Sequence, residues 1–491
     1  MTDQAPTRTH APEPLAQMRP GDMLVISLLL VSAFVVILNE TIMGVALPRL
    51  MADLDITAAT AQWLTTAFLL TMAIVIPITG FLLQRFHVRP VFITAMTLFS
   101  IGTAIAASAP GFELLLLGRI VQASGTAIMM PLLITTVMTL VPEHQRGRMM
   151  GNISIVISVA PAIGPTVSGL ILSSFSWRWM FLLVLPFSIG ALVLGMAKVR
   201  NVTTPRSLPI DALSVVLSAF AFGGLIYGIS SIGEAAAGHT PVAPWIPIVV
   251  GVGALALFVR RQLLLQRTDT ALLDLRTFTS RTFSISIVLV GISMMALFGM
   301  IIVLPLYLQN VRGLDTLDTG LLLLPGGVVM GLLAPVVGRL YDRFGPTPLV
   351  MPGAALVCLV MGAMTQLDES TPLVFIPIGH TVLSIGLAVM FTPLLTSALG
   401  AVRPSLYSHA SAIVGTSQQL AGAVGTALFV TIMTRGTTSA LDGGASDTDA
   451  LVDGIQAAFM CRAVISLIAV AVSLLVRRQP AVAGAAPVPA H

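Results

Sequence analysis

The chain is a succession of long apolar runs broken by short polar connectors. Each run approaches the ~20 residues that a helix needs to cross a bilayer. Read in this way, the sequence predicts fourteen spans, at 23–47, 60–83, 90–109, 112–141, 150–174, 179–199, 210–232, 243–262, 283–309, 317–340, 347–366, 371–398, 409–434 and 455–476. Lipid offers no hydrogen-bond partners, so each run must satisfy its own backbone as a helix. A spanning barrel is the other solution, but its strands alternate polar and apolar residues with period two. Runs such as 26–37 and 464–472 show no alternation. The expected fold class is an all-α polytopic membrane protein.

Composition agrees. Of 491 residues, 56% are hydrophobic and only 9% are charged, against about a quarter charged in a soluble domain. There is too little polar surface to cover a globule in water. The net charge of +4 does not indicate nucleic acid, because the basic residues sit in short connectors rather than in one patch. They do orient the chain. With a cytoplasmic N-terminus, nineteen Lys and Arg fall inside, four fall outside (Arg49, Arg178, Arg312, Arg435) and two lie within spans (Arg119, Arg462). An even number of spans then places both termini in the cytoplasm. No cleavable signal is evident; the start, 1–22, is polar, rich in Pro, Thr and Ala, and expected to be disordered. The two cysteines, Cys358 and Cys461, lie in apolar runs and form neither a disulfide framework nor a metal site.

An internal repeat is visible. Gly80-Phe-Leu-Leu-Gln84-Arg85-Phe86-His87 follows the second span, and Gly338-Arg-Leu-Tyr-Asp342-Arg343-Phe344-Gly345 follows the tenth. Glycine, arginine and phenylalanine align at an offset of 258 residues, and the same offset carries the first span onto the ninth. Such repeats are a common way to build a transporter. The expected organisation is a six-helix bundle at 23–200, two inserted helices with a basic linker at 201–282, a second six-helix bundle at 283–477 and a cytoplasmic tail at 478–491. In each copy of the turn the glycine permits close helix approach, and the arginine can bond the last helical carbonyls. Asp342 can pair with an arginine or sit at the next helix start. The turn reads as a latch on one access state or as plain positive-inside anchoring.

Of the 21 acidic residues, only Glu40 lies deep in a span. An acid at that depth costs about 2.5–3.5 kcal/mol on the translocon scale, so it should face a cavity and act there. It reads as a proton carrier or as a packing residue bonded to a neighbouring helix. Arg119 reads as its natural partner or as a buried tether for carbonyls and for Asn39, and Gln122 lies on the same helix face as Arg119. His380 sits mid-span, either as a titrating group or as a hydrogen-bonded core residue. Arg462 lies about two turns inside the last span and is expected to snorkel to the outer surface. Methionines such as Met43 suit an adaptable pocket as well as ordinary packing. Trp63, Phe298, Tyr307 and Gln418 complete the substrate-pocket candidates.

Several stretches occur together and in a definite order. They are Leu38-Asn-Glu-Thr-Ile-Met-Gly-Val-Ala-Leu-Pro48, Gln62-Trp63, the Gly80–Arg89 turn, Arg119-Ile-Val-Gln122-Ala-Ser-Gly125, Arg146-Gly147-Arg148, Gly164-Pro165-Thr-Val-Ser-Gly169, Trp177-Arg178-Trp179, Leu304-Pro-Leu-Tyr307-Leu-Gln309 and Gln418-Gln419-Leu-Ala-Gly422-Ala-Val-Gly425. Over about residues 23–477 this arrangement resembles the fourteen-helix drug:proton antiporters of the major facilitator superfamily, and the Asn-Glu-Thr start is similar to the lincomycin-resistance branch. The resemblance implies a role for Asn39, Glu40, Arg119 and Gln122 in proton coupling. It implies that Gly164 and Pro165 form a pliable seam between the halves. The family usually has aspartate at the positions of Asn39 and Gln84, so this chain shifts its acid to Glu40 and alters its first-half latch.

No Gly-x-x-x-x-Gly-Lys-Ser/Thr phosphate loop is present, so an ion gradient is the expected energy source. One proton crossing about 150 mV releases about 3.5 kcal/mol, enough for a few-hundred-fold gradient of a neutral solute. The expected function is proton-coupled export of drug-like or lipophilic compounds by antiport across a bacterial cytoplasmic membrane; the alternative is export of one dedicated natural product or lipid. An enzyme is not expected, because the histidines are scattered and no HExxH or paired carboxylates occur. No cofactor or metal is expected. The expected partners are a small-molecule substrate, a proton and the bilayer, with the chain a monomer.

Overall fold

The computed structural model describes residues 21–202, 205, 209–236 and 242–476. The polar start, apart from Gly21 and Asp22, and the tail at 478–491 lie outside the described residues. Fourteen helical segments in the described residues are long and apolar enough to cross a membrane. The first half holds α1 (Asp22–Leu54), α2 (Ala58–Arg85), α3 (Val88–Ser108), α4 (Phe112–Leu140), α5 (Arg146–Ser174) and α6 (Arg178–Lys198). Then α7 (Ala212–Ser218) passes through a π-helical turn, Ala219–Gly223, into α8 (Gly224–Ala236), and these make one span. The remainder are α9 (Trp245–Leu265), α10 (Arg281–Leu306), α11 (Thr316–Phe344), α12 (Thr347–Met364), α13 (Phe375–Gly400), α14 (Tyr407–Asp442) and α15 (Asp447–Ser473).

The fourteen spans were legible as apolar runs. Three helices outrun their predicted limits by seven residues or more: α1 continues to Leu54 rather than 47, α14 continues to Asp442 rather than 434, and α15 begins at Asp447 rather than 455. An apolar run ends where the hydrocarbon would end, whereas a hydrogen-bonded ladder continues until a residue leaves it. In α1 that residue is Asp55, in the left-handed region at φ 50°. Some helix starts carry side-chain caps. The Asp315 carboxylate accepts the Asp318 N–H at 2.7 Å, and the hydroxyls of Ser280 and Ser446 accept N–H groups of Phe283 and Asp449.

The repeat seen in the sequence is a repeat of packing. In the first half α3 packs on α4 and α6, α1 on α5, and α2 on α4. The same pairings recur as α12 on α13 and α15, α10 on α14, and α11 on α13. The halves meet along two symmetry-related seams, α5 against α11 and α2 against α14. The inserted segment breaks this symmetry, because α8 packs on α2 and α14 and so covers only one seam.

The other seam closes on glycine. A methyl on Gly147 of α5 would collide with the Gly338 carbonyl and the Asp342 carboxylate of α11. At this end, which carries the arginine-rich turns, the Asp342 carboxylate accepts the N–H groups of Gly147 and Arg148 at 2.7 and 2.9 Å. Asp342 thus caps α5 across the seam and not α12, the helix that follows it. A carboxylate is well placed there, against the positive end of a helix. Beside each seam a hydroxyl bridge also joins the halves: Thr135 of α4 and Ser411 of α14 share a hydrogen bond at 2.8 Å, and Thr392 of α13 donates to Ser154 of α5 at 2.8 Å.

Candidate functional site

Two close helix contacts assemble the polar cluster in the first half. The first joins α3 and α4, where a methyl on Gly118 would lie 2.8 Å from the Ala106 nitrogen. Backbones this close let side chains reach across, and Gln122 donates its amide N–H to the Thr103 hydroxyl at 2.8 Å. Thr103 in turn donates to the Phe99 carbonyl at 2.6 Å. The Gln122 amide oxygen is then left to face Arg119, whose Nη1 donates to it at 2.7 Å.

Arg119 is only 1% exposed. Its guanidinium lies 4.0 Å from the centroid of the Phe68 ring, and Nη1 also reaches Asn39 Oδ1 at 3.3 Å. A buried cation normally costs several kcal/mol unless it is compensated. Here the direct contacts are two neutral amides and an aromatic face. Glu40, half-buried, stands within electrostatic reach of Arg119, but no ion pair within 4 Å joins them among the described residues. Arg119 is thus an electrostatic partner of Glu40 at a distance, while Asn39 takes its hydrogen bond, so both the partner reading and the Asn39 tether hold in part. At about 100° per residue, Asn39 faces α4 and Glu40 is turned away from it.

The second close contact is between α1 and α5. A methyl on Gly164 would collide with Thr41, whose hydroxyl donates to the Leu38 carbonyl at 2.9 Å. Gly164 was expected at a seam between the halves; it instead sits inside the first half, one residue from Glu40. The side chain of Pro165 is outside the described residues. With Asn39 turned to α4 and Thr41 to α5, Glu40 occupies the arc of α1 between them.

The substrate-pocket candidates do not converge. Trp63 is 40% exposed and stacks on Tyr227 of the inserted α8, with ring centroids 5.8 Å apart. It braces the insert and is withdrawn from the pocket. Tyr307 is fully buried, and its hydroxyl donates to the Asp368 carbonyl at 2.7 Å. It ties the π-helical turn after α10, Tyr307–Val311, to the loop after α12 and is also withdrawn. Phe298 packs beside Gly422 of α14, His380 beside Gly326 of α11, and Met43 is buried in α1. Gln418 is half-buried on α14, next to Gln419, which reaches the Met72 sulfur of α2 at 3.8 Å.

Arg462 does not snorkel. It is 1% exposed, lies between the rings of Phe429 and Phe459 at 4.3 and 5.0 Å, and touches the Met300 sulfur at 3.9 Å. Gly299 makes the room for it. Sequence reasoning also missed Phe68 and Thr103. A phenylalanine and a threonine in apolar runs carry no signal of their own; only the α3–α4 contact reveals them.

In the turn motifs, Arg85 lies 5.9 Å from the Phe86 ring and Arg343 5.0 Å from that of Phe344. Gly80 packs against His409 of α14 as Gly338 packs against Gly147 of α5. Both copies therefore serve the seams.

Comparison with known proteins agrees with this architecture. The Major Facilitator Superfamily profile matches residues 29–426. A Bacillus subtilis chain described as an uncharacterized MFS-type transporter, YcnB, is 42% identical over 455 residues, covering 93% of this chain and 95% of that one. The lincomycin resistance protein LmrB of Listeria monocytogenes is 41% identical over 459 residues, covering 92% and 96%. The crystal structure of the human organic anion transporter MFSD10 shares the fold, with a TM-score of 0.68 at 14% identity over 93% of this chain and 100% of that one. Twin six-helix halves with two crossing seams, a profile match over most of the length and relatives aligned nearly end to end lead to one conclusion: this chain belongs to the major facilitator superfamily and is a multi-pass membrane transporter, not an enzyme.

Proposed function

We propose that the chain is a proton-coupled antiporter that exports drug-like or lipophilic organic compounds across a bacterial cytoplasmic membrane. In this reading both termini are cytoplasmic, 23–200 and 283–477 are the moving bundles, and the unit is a monomer. The arginine-rich end is then the inner end, and its closed seams leave the site to be served from outside.

The reading rests on the placement of Glu40. Its carboxyl lies within a span, near a buried cation whose direct hydrogen bonds go to Asn39 and Gln122. A carboxylate locked to arginine holds no proton near neutral pH, whereas one held at a distance changes occupancy as the distance changes. A shift of α1 against α4 therefore alters proton binding at Glu40, which is what coupling requires. The substrate class follows from the lincomycin resistance protein of Listeria monocytogenes.

The test is substrate-triggered proton release from everted vesicles, in the native chain and in Glu40→Gln, with a lincosamide and a lipophilic dye cation. Release in the native chain and none in the variant is expected. Equal release in both moves the proton site away from Glu40. Silence in both, with release for a single other compound, favours a dedicated exporter.

A further inference from the structure

The arginines at the end of the inserted hairpin and in the linker after it are not equivalent. Arg261 grips Asp211 through two hydrogen bonds at 2.6 and 2.7 Å. Arg276 is held by Asp269 and Asp274. The local acids are thereby consumed. Arg260 and Arg267 are exposed and make no ion pair among the described residues.

Arg260 of α9 and Arg267 just past its end border a shallow, open apolar groove of about 580 Å³ on the surface of this one helix, formed by Val252, Ala256, Val259 and Leu263. The opposite face of α9, with Ala254, Phe258 and Gln262, is buried against α7 and α8. Gln262 is fixed there by donating to the Ser214 hydroxyl at 2.7 Å, so the rotation of α9 is set and the groove faces out from the bundle. From Val252 to Leu264 the groove runs for about 18 Å at 1.5 Å per residue. That is close to the depth of one leaflet, half of a ~30 Å hydrocarbon core. Arg260 lies in the last turns of α9 and Arg267 in the single 3-10 turn that follows it, Gln266–Thr268, and both line the same groove.

We infer that this face of α9 is a binding site for one anionic phospholipid, with its acyl chain along the groove and its phosphate between Arg260 and Arg267. The lipid belongs to the leaflet that the proposed topology makes the inner one. Anionic headgroups are attracted by about 1 kcal/mol per basic residue at the surface, so two arginines favour an anionic over a zwitterionic headgroup roughly thirty-fold. The site is built into the insert and is independent of the coupling chemistry at Glu40.

The experiment is native mass spectrometry of the full chain in a delipidating detergent, titrated with equimolar phosphatidylglycerol and phosphatidylcholine. Retention of one phosphatidylglycerol, with a preference of roughly thirty-fold, is expected. Arg260→Gln/Arg267→Gln should bring the two lipids to near parity. Ala256→Trp, which fills the groove but keeps both arginines, should weaken retention of both. Equal retention of the two lipids by the native chain overturns the inference, as does an unchanged preference in the double arginine variant. Full displacement of the lipid by millimolar inorganic phosphate, with Ala256→Trp without effect, would assign a phosphate site and overturn the lipid.

Discussion

The Asp342 carboxylate accepts the Gly147 N–H at 2.7 Å, although the two residues are 195 positions apart. The opposite seam holds the repeat of this contact, where Gln84 donates to the Ser405 carbonyl at 3.1 Å. Gln84 and Asp342 are 258 positions apart, and so are Gly147 and Ser405. One seam therefore carries a charged acceptor on a helix start, and the other a neutral donor on a carbonyl. Hydrogen bonds to charged groups contribute about 1.5–3 kcal/mol and neutral ones about 0.5–1.5. Asp342→Ala should shift the population toward the state open at the arginine-rich end by roughly tenfold or more, and Gln84→Ala by less. Maleimide labelling of Ser408→Cys, in a chain with Cys358 and Cys461 replaced by alanine, reads this opening. Equal labelling in the two variants would refute the asymmetry.

The hydroxyl bridges make a second pair. Thr135 and Thr392 are 257 positions apart, as are Ser154 and Ser411, so the bridges are repeat mates beside opposite seams. Thr135→Val and Thr392→Val should each weaken the closed state by about 1 kcal/mol. Sites this separate add, so the double variant should open roughly thirty-fold more often than the native chain. The same labelling assay checks it, and a double variant no more open than either single one would show that one bridge carries no load.

Arg462 sits in the second half with two rings and a thioether for company. Its Nε and Nη2 find no hydrogen-bond acceptor. Replacing such a cation by a well-packed apolar residue is often neutral or stabilising. Arg462→Met should keep or raise the melting temperature of the purified protein, whereas Arg462→Ala, which leaves a cavity beside Gly299, should lower stability by about 2–4 kcal/mol. A large loss in the methionine variant would show that the charge itself is required.

The inserted hairpin is tied by Asp211. The hydrogen bonds from Arg261 hold its carboxyl down at about 2. A depressed carboxyl contributes stability that is present above its unfolded value of about 3.9 and is lost as pH falls through the folded value. The tie should be constant from pH 8 to pH 5 and weaken only in strong acid. Asp211→Asn should lower the melting temperature by the same amount at pH 8 and pH 5, and a difference that vanishes at pH 5 would contradict this.

Much of the fold is legible because a bilayer imposes length and composition on every span, and because the turns at Gly80 and Gly338 repeat visibly. The site is legible only in part. Glu40 and Arg119 stand out as charges among apolar residues, so the sequence singles them out. Their contacts do not stand out, since a span apolar on every side gives no sign of which face meets which neighbour. Trp63 and Tyr307 were assigned to a pocket on residue type, yet α8 claims one ring and the Asp368 carbonyl the other hydroxyl. Arg462 was expected at the surface because snorkelling is the cheap solution in lipid. The space beside Gly299 and the rings of Phe429 and Phe459 provide another solution, and no run of residues announces it.

The inserted hairpin lies over the α2–α14 seam and leaves the α5–α11 seam bare. Two equal halves could rock evenly about their common axis, but these halves are fastened on one side. The α2–α14 seam is braced from outside by α8, which packs on both of its helices. The seam between α5 and α11 instead relies on its own close packing and on the Asp342 carboxylate. The likeness of the two halves therefore stops at their margins, where one seam has gained a third neighbour and the other depends on a single carboxylate and two facing glycines.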